Sequence, residues 1–306
     1  MSYPIIMAAA SMETSQKTLC EIMQGRPLRI DWERFNDGFP KLFIHQAELI
    51  QNRAVIFLAD LSLRENLFDQ FAVMSALRSF KCSSLDVWIP YFPTGTMDRV
   101  TRYGEIATAK SLARMLENIP STKGGLTTLH IMDIHALQEQ FFFNDDVIVS
   151  LESALPCALP GIAFSIDAQN LAVVFPDDGA RKRYANMVGT YPQIVCAKVR
   201  QGDKRVVTID EGNPQGKDCL IIDDLSRTGG TLIECAKVLH SAGAKSVSVF
   251  ITHAVFEEGV REKFTPDLFK NVCVTNSVPH VTQTLNTNPM FKVYDYATLF
   301  SVEKWK

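Results

Sequence analysis

The chain has 306 residues, 46% of them hydrophobic and 21% charged, with a formal net charge of −3. That length suffices for two packed domains, and the slightly acidic balance excludes a protein that holds nucleic acid or an anionic membrane by bulk charge. Any anion it binds must be held by a local site. Seven cysteines, Cys20, Cys82, Cys157, Cys196, Cys219, Cys235 and Cys273, are scattered, odd in number and without a CxxC pair or zinc-like spacing, which reads as buried thiols of a reducing compartment. The N-terminal PIIMAAASM lacks the length and basic flank of a signal peptide, and no apolar run reaches the roughly 20 residues of a membrane span. The expected location is the cytosol.

Along the chain, six short runs rich in Val, Ile and Leu end in polar or acidic residues: AVIFLAD (54–60), LDVWIPYF (85–92), LHIMDIH (129–135), AVVFPDD (172–178), LIIDD (220–224) and VSVFITH (247–253). Continuous rather than alternating apolar strands imply burial on both faces and hence a parallel sheet. Between them, RENLFDQFAVMSALRSF puts Leu67, Phe71, Met74 and Leu77 on one helical face. TLIECAKVLHSAGA does the same with Leu232, Cys235, Ala236, Leu239 and Ala242, and Gly243 follows as a cap. SLESALPCALPG (150–161) interrupts the pattern with two prolines and a glycine, predicting a domain boundary there. The expected domains are 1–155 and 156–306, each α/β, with ligands at the carboxyl ends of the strands.

The strongest local signal is LIIDDLSRTGGT (220–231). Gly229 and Gly230 let the backbone turn tightly and present successive N–H groups, Ser226, Thr228 and Thr231 add hydroxyl donors, and a helix follows whose dipole favours an anion. Asp223 and Asp224 can accept hydrogen bonds from vicinal hydroxyls. A ligand carrying both a phosphate and a diol, such as ribose 5-phosphate, satisfies both halves. The alternative is a surface strand-to-helix turn, which a bare GGT would suggest.

Asp223 to Thr231 resembles the phosphoribosyl diphosphate binding motif shared by type I phosphoribosyltransferases and ribose-phosphate diphosphokinases. The first half, with IPYFPTGTMDRVTRYGEIATAKSLARML and LHIMDIHALQEQFFF, resembles the diphosphokinases as well. PTGT, FPDDGA (175–180), KVRQGDKR (198–205) and EGNPQG (211–216) are most similar to the plant-type class II enzymes. The resemblance implies two similar type I phosphoribosyltransferase-like domains, each a mostly parallel sheet flanked by helices, with ATP on the N-terminal side and ribose 5-phosphate on the C-terminal side. It further implies transfer of the ATP diphosphoryl group to the C1 hydroxyl of ribose 5-phosphate, with Mg2+ as cofactor and a homo-oligomer built from dimers.

Residue by residue, the resemblance assigns Lys198 and Arg200 to catalysis at the root of a mobile loop, and Ser226, Arg227, Thr228, Gly229, Gly230 and Thr231 to the sugar phosphate. His135 and Asp177 become metal-linked residues, with Asp133 a second candidate beside His135. Read without it, His135 is a lone histidine, Arg183 an exposed helix cation, and Lys198 and Arg200 a polar strand edge. Phe35, Asp37, Thr96, Arg99 and His135 are the ATP-side candidates. Two departures stand out: Phe39 occupies the place of a glutamate in FNDGF, and Thr94 to Arg99 replaces an Arg-Gln-Asp run. Relaxed choice of diphosphoryl donor is the corresponding expectation. A non-catalytic regulatory subunit and a nucleobase phosphoribosyltransferase are the competing readings.

Overall fold

The computed structural model describes residues 3–165, 170–201 and 204–299, with backbone alone over 198–201 and 204–206. The chain divides into two compact units, the second beginning at Ala154 and ending at Asp295.

The first unit runs β1 (Ile5–Ala8), α1 (Glu13–Met23), β2 (Arg26–Pro27), β3 (Ile30–Arg34), β4 (Pro40–Ile44), β5 (Ala54–Leu58), α2 (Leu67–Ala76), β6 (Ser84–Ile89), α3 (Thr108–Leu116), β7 (Thr127–Met132) and β8 (Val147–Glu152). Six strands form one sheet in the order β2-β1-β5-β6-β7-β8, parallel at every pairing. Strands β3 and β4 form a separate antiparallel hairpin. Alternate residues of the sheet, among them Val55, Phe57, Val87, Ile89, Leu129 and Ile131, share a core with Met74 and Leu77 from the second helical segment and Leu112 and Leu116 from α3. The helical face expected around Leu67, Phe71, Met74 and Leu77 is the one that packs on this core.

The second unit runs α4 (Leu155–Ser165), β9 (Leu171–Phe175), α5 (Asp178–Tyr184), β10 (Gln193–Gln201), β11 (Lys204–Glu211), β12 (Asp218–Ser226), α6 (Gly230–Ser241), β13 (Ser246–Ala254), β14 (Asn271–Thr275), α7 (Pro279–Leu285) and β15 (Phe291–Tyr294). Its sheet order is β11-β10-β9-β12-β13-β14-β15, parallel except for the antiparallel β10–β11 pair. Leu232, Cys235, Ala236 and Leu239 of α6 pack on this sheet. Gly243 follows the helix with φ +84°, and its N–H reaches His240 O at 3.0 Å, the left-handed stop that its sequence position predicts.

Three stretches differ from the sequence reading. SLESALPCALPG holds the division between the two units, at Ser153 and Ala154, but its prolines do not keep it irregular: α4 starts at Leu155, so Pro156 falls in the first turn, where no intrahelical N–H is required, and only Pro160 removes a hydrogen bond from the interior. The polar stretch after Arg200, expected as a loop, carries β11, because Val206, Val207, Thr208 and Ile209 favour a strand. The turn Tyr296–Thr298, placed by sequence in the second domain, packs on α1 and belongs to the first unit.

Candidate active site

In the second unit, β12 lies between β9 and β13, well inside the sheet, and delivers Asp223 and Asp224 at its carboxyl end. Gly229 takes φ +73° and is the N-cap of α6, so no capping side chain stands between the first-turn amides and whatever lies in front of them. A Cβ at this position would come within 3.1 and 3.2 Å of the Phe264 ring, so the backbone conformation favours glycine and the space beside it is tight. Asp223, Leu225 to Gly230, Thr231 and Leu232 line a cavity of about 140 Å³. The segment is thus a concave surface rather than a bare turn.

The segment after β13 braces this loop. Val255 N donates to Ser226 O at 3.1 Å, Glu257 N donates to Arg227 O at 3.1 Å, and the Glu257 carboxylate pairs with Arg227 Nε at 3.1 Å. Behind the loop, Phe264 stacks with Phe256 and Phe269 at centroid distances of 5.3 and 5.2 Å. The brace and the aromatic backing were not foreseen, since nothing in VFEEG or EKFTP marks them as partners of a loop some thirty residues earlier.

Electrostatically the acidic pair is under tension. Burial, then the charges of Asp224 and Asp177, push the Asp223 carboxyl well above the usual carboxylate range, although its Oδ1 accepts the Asp224 amide at 3.0 Å. A ligand that brings hydroxyl donors or a cation relieves that tension. Asp177 is the N-cap of α5, its Oδ1 accepting from Ala180 N at 3.1 Å. The structure therefore brings Asp177 into electrostatic reach of the Asp223–Asp224 pair. One turn on, Arg181 pairs with Glu211 Oε1 at 2.7 Å and joins α5 to the last residue of β11, a link absent from the sequence reading. Arg183 lies over the Tyr184 ring, 5.8 Å from its centroid. Lys198 and Arg200 occupy β10 at the register positions opposite Val207 and Arg205; their side chains lie outside the described residues.

In the first unit, the turn after β6 and the segment after β7 sit together. Thr94 and Asp133 both adopt positive φ, +63° and +40°, conformations that cost a non-glycine residue energy and cluster at functional sites. Gly95 faces His135: a Cβ there would lie 3.0 Å from His135 Cβ and 3.3 Å from a Glu139 carboxylate oxygen. Gln138 Nε2 donates to Asp98 Oδ2 at 3.3 Å. Thr96 and Arg99 are exposed on this turn, His135 is exposed beside it, and Asp133 is buried, its amide donating to Glu152 O at 2.8 Å. Phe35 and Asp37 stand elsewhere, on the tip of the β3–β4 hairpin. Asp37 Oδ1 accepts from Phe39 N at 3.1 Å, and Arg34 ties the hairpin to Asp69 of α2 at 2.8 Å. Phe35 is 54% and Phe39 65% exposed, so the hairpin tip presents two rings where one was expected.

Two family models match the chain: the N-terminal domain of ribose phosphate pyrophosphokinase over residues 5–119, and the phosphoribosyl transferase domain over 134–283. The chain is 45% identical to ribose-phosphate pyrophosphokinase 4 of Oryza sativa subsp. japonica over 88% of this chain and 85% of that one. It is 42% identical to ribose-phosphate pyrophosphokinase 3, mitochondrial, of Spinacia oleracea, over 88% of this chain and 68% of that one. The fold superposes on a phosphoribosylpyrophosphate synthetase from Mycobacterium smegmatis with a TM-score of 0.78 at 22% identity, covering 97% of this chain and 96% of that one. Both units thus have the phosphoribosyltransferase-like architecture. With its two halves matched in order and its relatives aligned over most of their length, the chain belongs to the ribose-phosphate pyrophosphokinase family.

Proposed function

We propose that the protein transfers the diphosphoryl group of ATP to the C1 hydroxyl of ribose 5-phosphate, giving 5-phosphoribosyl 1-diphosphate and AMP. The observation that carries this reading is the cavity of about 140 Å³ lined by Asp223 and by Leu225 to Leu232, in a chain whose family makes that product. The sugar phosphate sits on the first-turn amides of α6, with Ser226, Thr228 and Thr231 as hydroxyl donors and Arg227 as counter-charge. Asp223 and Asp224 grip the ribose diol. Catalysis of phosphoryl transfer is mostly positioning and charge stabilisation, and Lys198 and Arg200 supply both to the transferring group from β10.

Mg2+ binds through one or two carboxylates together with water and substrate phosphates. Among the described residues, no group of three or more His, Cys, Asp or Glu side chains is arranged to hold a metal by itself. The crowding of Asp177 with Asp223 and Asp224 is the kind of unbalanced charge that a cation offsets. Mg2+ delivered with the nucleotide fits carboxylates so placed; in the second unit Asp177 would hold it, and in the first unit, taken by itself, His135 and Asp133 are the candidates. Bound there, it would neutralise phosphate charge.

Phe35 stacks on the nucleotide base and Asp37 accepts from it, while Thr96 and Arg99 hold its phosphates. With Phe39 in place of a second polar contact, the base is read loosely, and CTP, GTP and UTP support turnover beside ATP. The chain works as an oligomer built from dimers. Its seven free thiols fit a reducing compartment such as the cytosol, and among the described residues no helix is long and apolar enough to cross a membrane.

The test is an assay with ribose 5-phosphate, ATP and Mg2+ alone, following AMP and phosphoribosyl diphosphate. Product without any nucleobase supports the reading, and its absence in folded protein sinks it. Lys198→Ala should lower AMP formation by about 10²- to 10³-fold with an unchanged far-UV spectrum; full activity removes Lys198 from the mechanism.

A further inference from the structure

The cysteines are scattered in sequence, yet the fold gathers three of them. Cys196 on β10, Cys219 on β12 and Cys235 on α6 belong to one core, the layer that α6 packs against the seven-stranded sheet. Cys196 and Cys235 are buried, with their sulfurs 3.3 Å apart, close enough for one thiol to donate to the other. A disulfide needs about 2.05 Å, a gap of the size that small side-chain rotations close.

Where the pair lies gives it meaning. Strand β10 pairs with β9 only over Gln193, Ile194 and Val195, and its register against β11 shifts between Val195 and Cys196. Cys196 is therefore the first residue of β10 beyond its pairing with β9. From there to Gln201 opposite Lys204, the two arms pair with each other as a hairpin. Lys198 follows two residues later. Cys235 stands in the second turn of the helix that begins at the phosphate-loop glycines.

We propose that Cys196 and Cys235 form a reversible oxidation site, at which a peroxide converts the dithiol into a disulfide that ties the root of the β10–β11 hairpin to α6. In the first step, the Cys196 thiolate attacks one peroxide oxygen, the O–O bond breaks, and sulfenic acid and water form once the leaving hydroxide takes a proton. In the second, the Cys235 sulfur attacks the sulfenic sulfur, the S–O bond breaks, and the Cys235 proton leaves with the hydroxide as water. Two thiols and one hydrogen peroxide give one disulfide and two waters, sulfur losing the two electrons that the peroxide gains.

The roles follow from the surroundings. The hydrogen bond from Cys235 lowers the Cys196 thiol pKa against the opposing effect of burial, while the same bond and then burial raise that of Cys235. Cys196 is the attacking sulfur and Cys235 the resolving one. Cys219, pushed up to about 12 chiefly by burial, stays a thiol.

The disulfide itself is independent of the proposed function; only its effect on turnover rests on that reading, because the tied strand carries Lys198. The experiment treats the full chain with hydrogen peroxide, maps cross-linked peptides by mass spectrometry before and after dithiothreitol, and follows AMP formation in parallel. The expected result is a Cys196–Cys235 linkage, a loss of turnover of tenfold or more, and recovery of both on reduction. Cys219→Ser should keep the response, and Cys196→Ser and Cys235→Ser should lose it. Oxidation confined to the exposed Cys157 or half-buried Cys20, or a linkage through Cys219, overturns the site, and mapping of the unaltered chain decides this even where a serine variant fails to fold. A Cys196–Cys235 linkage with unchanged turnover overturns the coupling to catalysis. Failure of the unoxidised protein to make AMP bears on the proposed function alone.

Discussion

The proposed phosphate loop of the second unit and the residues proposed for the nucleotide in the first differ in how much chain each needs. The loop is one contiguous segment, Asp223 to Leu232, folded around its own cavity, with donors, acceptors and helix dipole supplied within a few residues. The proposed nucleotide side would draw on three separate places: the β3–β4 hairpin tip, the turn after β6 and the segment after β7. A phosphate asks for little more than amides and a positive end, whereas a base, a triphosphate and its cation need donors of different kinds at different places. A compact ligand group permits a local motif, and an extended one forces an assembled site.

That contrast can be broken by experiment. The largest effect should come from Gly229→Val, which puts a branched side chain at φ +73° and against the Phe264 ring. The KM for ribose 5-phosphate should rise by about a hundredfold while that for ATP stays near its starting value. If both rise together, the loop is not a separate sugar-phosphate site. Phe35→Ala should do the reverse, raising the KM for ATP by about two- to tenfold through loss of a stacking face; a change confined to ribose 5-phosphate would undo its assignment. Smaller still is Glu257→Ala. The Arg227–Glu257 pair is more than half exposed on both sides, so its loss should cost only about two- to threefold in ribose 5-phosphate KM. A larger cost would mean that the brace determines loop geometry.

The smallest effect concerns stability, within the first unit's sheet. His130 on β7 lies between Asp86 of β6, at 3.2 Å, and Glu152 of β8, at 3.6 Å. Burial pulls its pKa down, but the two carboxylates outweigh burial and raise it. A raised histidine pKa contributes stability that is complete below the unfolded value of about 6.5 and is lost as pH climbs through the folded value. The urea midpoint should therefore fall modestly from about pH 6 to pH 8, and His130→Gln should flatten that slope. An identical slope in the variant would assign the pH dependence to another group.

Much of the architecture could be read from sequence because it depends on local pattern. The six apolar runs are all strands, and the helices carrying Met74 and Leu239 bury the faces their spacing predicts. The β11 strand was hidden because Gly, Asp and Lys residues around it resemble a loop until its antiparallel partner is present. The helix α4 was hidden because proline signals a break unless its place in the first turn is known. At the candidate site, the strand, glycine turn and helix start of Asp223 to Thr231 were legible as one local unit. The Arg181–Glu211 link, the Glu257 brace and the meeting of Cys196 with Cys235 were not, since each joins residues some thirty or more positions apart. No local pattern encodes such partnerships.

The return of Tyr296–Thr298 to the first unit makes the second unit topologically an insert rather than a successor. Tyr296 and Ala297 are fully buried, and their turn packs on α1. A gene fragment stopped at residue 155 would deprive the N-terminal half of part of its own interior. A gene that deletes residues 154–295 and links 153 to 296 keeps that turn with the first half, and dissection of this enzyme into parts has to begin from that cut.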